Sequence, residues 1–102
     1  MRILVFFDLP VKTKQQRRSA TGFRNFLLKD GYHMVQYSVY SRVCAGVDAV
    51  EVHRGRLLQR VPPSGSVRML VVTEKQYNRM EILLGKPGPS DDERQGDSLL
   101  IF

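Results

Sequence analysis

A short, continuous apolar run near the start of the chain restricts the fold more than any other feature. Residues 3–7, Ile-Leu-Val-Phe-Phe, contain no polar residue and are followed by Asp8, Leu9 and Pro10. A strand that is apolar on both faces is typical of the centre of a sheet covered on each side. Pro10 cannot continue such a strand because it lacks a backbone N–H. The run therefore predicts a central β-strand that ends close to Asp8.

A helix is predicted directly after this strand. Thr13 and Gln16 have the spacing of a capping box, in which each side chain binds the other residue's backbone N–H. From Lys14 to Asp30 the apolar residues recur at helical spacing, and Gly31 follows where a helix commonly ends. The predicted buried stripe consists of Ala20, Phe23, Phe26 and Leu27.

The next segment, Tyr32 to Ala45, contains no Gly, Pro, Asn or Asp and is rich in Val and Tyr. Fourteen extended residues exceed the width of a domain of this size, so the segment must bend. We place two strands here, with the bend near Ser38 and Val39. Before the bend, Val35 and Tyr37 are expected to face the core.

A second helix is predicted after these strands. Asp48 and Glu51 resemble a capping pair that opens it, and the two prolines at 62 and 63 end it. Its apolar face is expected to consist of Val47, Val50, Leu57 and Val61.

The remainder of the chain predicts mainly short elements. Residues 67–73 have the composition of a strand, and residues 74–77 can form one helical turn. A short strand is predicted at 81–84, a polar loop at 86–98 and a last apolar strand at 99–102.

This order of elements predicts the fold class. Strand, helix, strand, strand, helix, strand, joined by right-handed crossovers, gives an α+β, ferredoxin-like βαββαβ sandwich with an extra C-terminal strand. The helices cover one sheet face, and the open face favours a homodimer. We assign residues 1–85 to the ferredoxin-like domain and residues 86–102 to a polar loop and C-terminal strand that packs on the dimer partner.

Length and composition limit the classes to which the chain can belong. Its 102 residues fit one domain, and a hydrophobic content of 42% is too high for a disordered tail. The single cysteine, Cys44, forms no intrachain disulfide, which points to reducing surroundings. No apolar segment is long enough for a signal peptide or a membrane span, so we expect a cytoplasmic protein without membrane contact.

The net charge of +6 is unevenly distributed. Residues 1–80 hold 14 Lys and Arg against 5 Asp and Glu, whereas residues 81–102 hold 2 against 5. A basic body favours a polyanionic partner, of which nucleic acid is the commonest, and a solvated surface is the alternative. The residues predicted to contact phosphate are Lys14, Arg17, Arg18 and Arg24, and a second basic cluster consists of Arg54, Arg56 and Arg60.

Asp8 is the most conspicuous candidate for chemistry. The chain lacks glycine-rich phosphate loops, paired CxxC motifs and HExxH, and Cys44, His33 and His53 are not expected to be nucleophiles or metal ligands. Asp8 either caps a turn or pairs with an arginine, or it is a hard oxygen ligand for Mg²⁺. One carboxylate makes a weak site, so the second interpretation needs two Asp8 side chains across a dimer axis.

Five segments together resemble a known family. Residues 7–10 (Phe-Asp-Leu-Pro), a basic helix, and residues 31–40 with their Gln-Tyr-Ser-Val-Tyr end are followed by residues 72–77 and 82–85. In this order and spacing they resemble the CRISPR-associated protein two family, the small subunit of the spacer-acquisition machinery, in its type II branch. The resemblance covers nearly the whole chain.

The resemblance implies a homodimer in antiviral defence that binds duplex DNA beside the CRISPR integrase subunit. It also implies a Mg²⁺-dependent endonuclease on RNA or duplex DNA, with Asp8 as catalytic residue and metal ligand and with Ser38 and Tyr40 near its cleft. Two other hypotheses stay open. The dimer is a scaffold that grips DNA without cutting it, or the chain is a stand-alone ferredoxin-fold RNA-binding or toxin-like ribonuclease module.

Overall fold

The computed structural model describes residues 1–86, which form a four-stranded antiparallel sheet and three helices. The strands lie in the order β2-β3-β1-β4, so the first strand is central, as predicted. This βαββαβ order is consistent with a ferredoxin-like fold and confirms the predicted α+β class. The elements are β1 (Arg2–Asp8), α1 (Lys14–Lys29), β2 (His33–Gln36), β3 (Val39–Val43), α2 (Val47–Leu58), β4 (Ser66–Val72) and α3 (Glu74–Asn78).

The main core lies between the sheet and the helices α1 and α2. Alternate residues of β1, namely Ile3, Val5 and Phe7, are buried on this side. The rings of Phe7 and of Phe23 from α1 form a T-shaped contact with a centroid distance of 5.3 Å. The Phe7 ring also stacks on Tyr40 from β3 at 5.6 Å. These aromatic contacts fix α1 and β3 to the end of the central strand that precedes Asp8.

Helix α1 begins and ends much as predicted. The backbone N–H of Gln16 donates to Thr13 Oγ1 at 3.1 Å, and the N–H of Thr13 donates to Gln16 Oε1 at 3.0 Å. The helix ends at Lys29, with Asp30 as its C-cap and Gly31 at φ 91° beyond it. Two constraints favour glycine at position 31. Its positive φ is a conformation that other residues rarely adopt, and a Cβ there would collide with the Arg42 guanidinium.

The second sheet face is only partly open. The Arg2 guanidinium lies 3.9 Å from the centroid of the Tyr77 ring and forms an ion pair with Glu74, and both partners belong to α3. Arg2 also donates to Ser41 Oγ at 3.4 Å, and Ser41 is fully buried. Helix α3 therefore covers the Arg2 end of this face. The end that carries Asp8 stays uncovered by the described residues.

The predicted cap and apolar face of the second helix are partly wrong. Its N-cap is Gly46, which forms no side-chain cap, so Asp48 lies inside the first turn. An acidic residue in that turn still interacts favourably with the helix dipole. Val50 and Leu57 are buried as predicted, but Val47 and Val61 are exposed and His53 takes a core position instead.

Two predictions about the strands are wrong, each for its own reason. Residues 81–84 do not form a strand, and Leu84 is 95% exposed. Among residues 1–86, no strand pairs with this segment, and an unpaired strand is not stable alone. Tyr37 is 81% exposed rather than facing the core. The pairing of β2 with β3 shifts between Met34 and Gln36, and the chain then turns, so alternation no longer directs Tyr37 inward.

Two further predictions concern the membrane and the C-terminal region. Within residues 1–86, none of the helices combines the length and apolar character that crossing a bilayer requires. The strand predicted at 99–102, and the part of the predicted loop beyond residue 86, lie outside the described residues.

Candidate active site and nucleic-acid interface

Asp8 is the last residue of β1 and is exposed to solvent. Because side chains alternate along a strand, Asp8 lies on the opposite sheet face from Phe7 and on the same face as Phe6. Within residues 1–86 no hydrogen bond or ion pair engages its carboxylate. The strand therefore presents a charged oxygen ligand at the end of an apolar run without burying it.

The loop after α2 packs against the backbone of Asp8. Ser66 is the cross-strand partner of Asp8, and the preceding Gly65 has a φ of 100°. A Cβ at Gly65 would lie 2.7 Å from the Asp8 carbonyl oxygen, which is closer than real Cβ contacts come. Glycine at position 65 therefore allows the turn to support the strand end from which Asp8 projects.

Asp8 fits Mg²⁺ as one ligand of an incomplete site. Across residues 1–86, no group of three or more His, Cys, Asp or Glu could hold a metal ion. Mg²⁺ commonly binds proteins through one or two carboxylates and takes its other ligands from water and substrate phosphates. The donor set of a single chain is thus too small for a closed metal site, although it is of the right chemical type.

Ser38 and Tyr40 occupy different environments. Ser38 has a φ of 64° in the turn between β2 and β3, and its carbonyl oxygen accepts a hydrogen bond from the Phe7 N–H at 3.1 Å. It therefore lies at the same end of the sheet as Asp8. Tyr40 is 4% exposed and stacks on Phe7 on the helix side, so its ring faces away from the Asp8 surface. The exposed aromatic rings near this end are instead those of Tyr37 and Phe6.

The basic residues of α1 lie on two rows. Lys14 and Arg18 are four residues apart and exposed, which places them on one row. Arg17 and the half-buried Arg24 are seven residues apart and lie on a second row. Arg17 donates to the carbonyl oxygens of Val11 and Lys12 at 3.1 and 3.0 Å, so it closes the loop that follows β1.

The predicted second basic cluster is divided by its ion pairs. Arg54 pairs with Glu51 of its own helix at 3.3 Å. Arg56 instead reaches across to Asp30 at the end of α1, with a distance of 2.7 Å. Arg60 also turns toward α1. The three arginines therefore do not form one surface.

A buried polar network joins α1, β3 and α2, and no local pattern in the sequence predicted it. His53 Nδ1 lies 2.8 Å from Asp30 Oδ2, and Arg42 Nε donates to His53 Nε2 at 2.9 Å. Because Nε2 accepts from Arg42, the proton of the neutral ring is on Nδ1 and is donated to Asp30. The only sequence signal is the position of His53, three residues after Val50 on the buried helix face.

The charges of this network favour an ionised Asp30. Burial raises the pKa of the Asp30 carboxyl, but the hydrogen bonds from His53 and Arg56 and the positive charge of Arg56 outweigh it and lower the pKa below its ordinary value. Neighbouring Tyr32 responds in the opposite direction. Its pKa is raised by burial and by the Asp30 carboxylate. The network thus holds a negative charge beneath the surface between the two helices.

Comparison with known proteins places this geometry in a family. The model of the family described as CRISPR associated protein Cas2 matches residues 1–80. The chain belongs to the Cas2 family. A Cas2 relative from Acidovorax ebreus is 58% identical over 87 residues, which is 85% of each chain. One from Flavobacterium psychrophilum is 40% identical over 100 residues, covering 98% of this chain and 86% of the relative.

Both relatives are named CRISPR-associated endoribonuclease Cas2. The crystal structure of Streptococcus pyogenes Cas2 at pH 6.5 has a TM-score of 0.62 and 24% identity, and the match covers 81% of this chain and 99% of that one. This structural match shows that the chain has the Cas2 fold. The family predicted from the motifs is confirmed. The predicted enzyme class, a nuclease, agrees with the name of these relatives.

Proposed function

We propose that this Cas2 chain is a metal-dependent endonuclease that also binds duplex DNA as a homodimer in the CRISPR adaptation complex. The observation that carries the proposal is the exposed carboxylate of Asp8, unpaired among residues 1–86, at the end of a buried central strand. A rigid strand fixes the position of this carboxylate, and its exposed place at the strand end leaves it accessible to a large substrate.

Asp8 from each of two chains would hold one Mg²⁺ ion between them. When bound, such an ion lowers the pKa of its water and offsets the charge that develops on the phosphate. The contribution of the chain is positional, because β1 fixes the carboxylate while Lys14 and Arg18 at the start of α1 hold the substrate phosphates. In the part of the chain that the structure describes, no His or second acid stands beside Asp8 as a general base.

The uncovered sheet face supports a homodimer. Phe6 and Leu70 lie on the same face as Asp8 and are 37% and 51% exposed. Exposed apolar residues grouped on one face mark an interaction surface more often than single ones do. Pairing of this face with a second copy would bury them and bring two Asp8 side chains toward each other.

The charge distribution supports binding of duplex DNA, and membership of the Cas2 family is the basis for proposing a place beside the CRISPR integrase subunit. Positive charge is concentrated in residues 1–80, and α1 carries no acidic residue. Such a surface attracts a phosphate backbone regardless of sequence. A scaffold without cleavage is the second candidate, favoured by the absence of a general base near Asp8 within residues 1–86. Membership of the Cas2 family weighs against a stand-alone ribonuclease module.

Replacement of Asp8 tests the catalytic part of the proposal. Asp8→Asn keeps the shape but removes the charge, so cleavage of RNA or duplex DNA with Mg²⁺ should fall by on the order of 10²-fold or more. Asp48→Asn, which changes an exposed carboxylate on α2, should cleave as the wild type does, and a chelator should abolish cleavage by both. Equal cleavage by Asp8→Asn and the wild type would remove Asp8 from the mechanism and leave the scaffold.

A further inference from the structure

A shallow groove of about 450 Å³ lies between α1 and α2, on the outer side of the helices. It is separate from the Asp8 surface, which lies on the other face of the sheet. The side chains that bear on its chemistry are Asn25, Phe26 and Lys29 from α1 and Arg56 and Arg60 from α2 and the turn after it.

The groove carries net positive charge. Its cations are Lys29, Arg56 and Arg60, and its one carboxylate, Asp30, already accepts hydrogen bonds from Arg56 on Oδ1 and from His53 on Oδ2. Arg56 uses its NH1 atom for Asp30, and its side chain is 55% exposed. A guanidinium has five N–H donors, so most of those on Arg56 stay free for an anion.

Arg60 is held at the wall of the groove by an aromatic ring. Its guanidinium carbon lies 4.9 Å from the centroid of Phe26, a cation–π distance. Phe26 is only partly buried, so the groove offers a fixed cation beside an apolar surface. That combination suits a phosphate attached to a sugar or base better than a small inorganic anion.

The groove continues a row along α1 that contains no acidic residue. Lys14, Arg18, Gly22, Asn25 and Lys29 recur at steps of four, four, three and four, and all five are exposed. At 1.5 Å per residue this row is about 22 Å long, the length of roughly six base pairs. A row of this length matches an extended polyanion rather than a single charged group.

Gly22 has no packing role among the described residues. A Cβ at this position would meet nothing within 4 Å, and alanine in mid-helix is more stable than glycine by about 0.5–1 kcal/mol. The missing side chain exposes the helix backbone between Arg18 and Asn25. The chain therefore leaves space at the middle of the row, where a ligand backbone could approach closely.

We infer that this groove is a second phosphate-contact site, occupied by the backbone of a nucleic acid that lies along the α1 row. The inference rests on the proposed nucleic-acid binding and gives it a location apart from Asp8. Lys29, Arg56 and Arg60 contact phosphates at one end of the row, Lys14 and Arg18 contact them at the other, and Gly22 admits the backbone between them.

The salt dependence of binding tests the site. The double variant Lys29→Gln, Arg60→Gln leaves the buried network intact, and Arg54→Gln, Lys75→Gln removes the same charges outside the groove. Binding of a fluorescent 20-mer duplex DNA, and of an RNA of equal length, is measured by anisotropy from low to high salt. Relative to the control, the slope of log affinity against log salt should be shallower by about 1.8 for duplex or about 1.4 for single-stranded RNA.

Gly22 provides an independent test with a matched control. Gly22→Leu should weaken binding at fixed salt at least severalfold, whereas Gly55→Leu, at an equally unobstructed helical glycine, should not. Thermal unfolding of each variant confirms that it is folded. Equal slopes and equal affinities for the groove variants and their controls overturn the inference. In that case, a flatter salt dependence of binding in the double variant Lys14→Gln, Arg18→Gln would leave the proposed function intact. If the wild type binds neither duplex DNA nor RNA, the proposed nucleic-acid binding and the groove inference both fail.

Discussion

At the scale of single residues, Asp8 and Asp30 show the largest contrast in exposure and in pairing among the described carboxylates. Asp8 is exposed and unpaired within residues 1–86, so its charge is available to a ligand. Asp30 is 8% exposed in its side chain and is held by His53 and Arg56, so its charge serves the fold. Two aspartates of one chain thus have separate roles, which follow from their neighbours rather than from their chemistry.

The pH dependence of stability should report on Asp30. The folded state lowers its pKa, so it binds protons less readily than the unfolded chain, whose ordinary value is 3.8. Its stabilisation is therefore complete above that value and is lost as the pH falls through the lower folded value. Asp30→Asn should lower the free energy of unfolding at neutral pH by about 1–3 kcal/mol and lack this acid-dependent component.

Denaturant titrations between neutral pH and pH 2 measure this difference. Glu81→Gln, which changes an exposed carboxylate outside the helices and strands, is the control and should follow the wild-type curve. A constant difference between Asp30→Asn and the wild type at every pH would contradict the linkage.

At the scale of the elements, alanine substitution should change the free energy of unfolding in opposite directions at a glycine beyond a helix end and at a glycine inside a helix. Gly31→Ala forces a Cβ into the left-handed region and against Arg42, so it should lower the free energy of unfolding by at least about 1–2 kcal/mol. Gly55→Ala lies within α2 with nothing near its Cβ, so it should raise that energy by about 0.5–1 kcal/mol. Urea unfolding of both variants checks this. A Gly31→Ala variant as stable as the wild type would contradict the turn geometry, and a destabilised Gly55→Ala variant would contradict the open space at that helical position.

At the scale of the whole molecule, the uncovered sheet face should control oligomeric state. Leu70→Glu places a charge on that face and should shift the protein from dimer to monomer by light scattering after gel filtration. Leu28→Glu changes a leucine of similar exposure, 53% against 51%, on α1 and should remain dimeric. Because the proposed metal site needs two chains, the monomeric variant should also lose Mg²⁺-dependent cleavage. A Leu70→Glu protein that stays dimeric places the interface elsewhere.

Local patterns predicted the elements whose signals lie within a few residues of each other. The capping box of Thr13 and Gln16 and the apolar spacing after it define α1 without reference to the rest of the fold. The run at 3–7 likewise predicts both the central strand and the position of Asp8 at its end, because an apolar strand must be buried and a charge must leave it. The family resemblance depends on these same local segments.

Features that depend on distant contacts required the tertiary structure. Alternation predicted Tyr37 inside, but the shifted pairing of β2 turned it to solvent, while Tyr40 is buried on Phe7. Arg56 looked like part of one basic cluster until the packing of α2 on α1 brought it to Asp30. Sequence spacing thus determined the helices, the central strand and Asp8, because their causes are local. The buried network and the groove depend on which helix faces meet, and only the packed chain determines that.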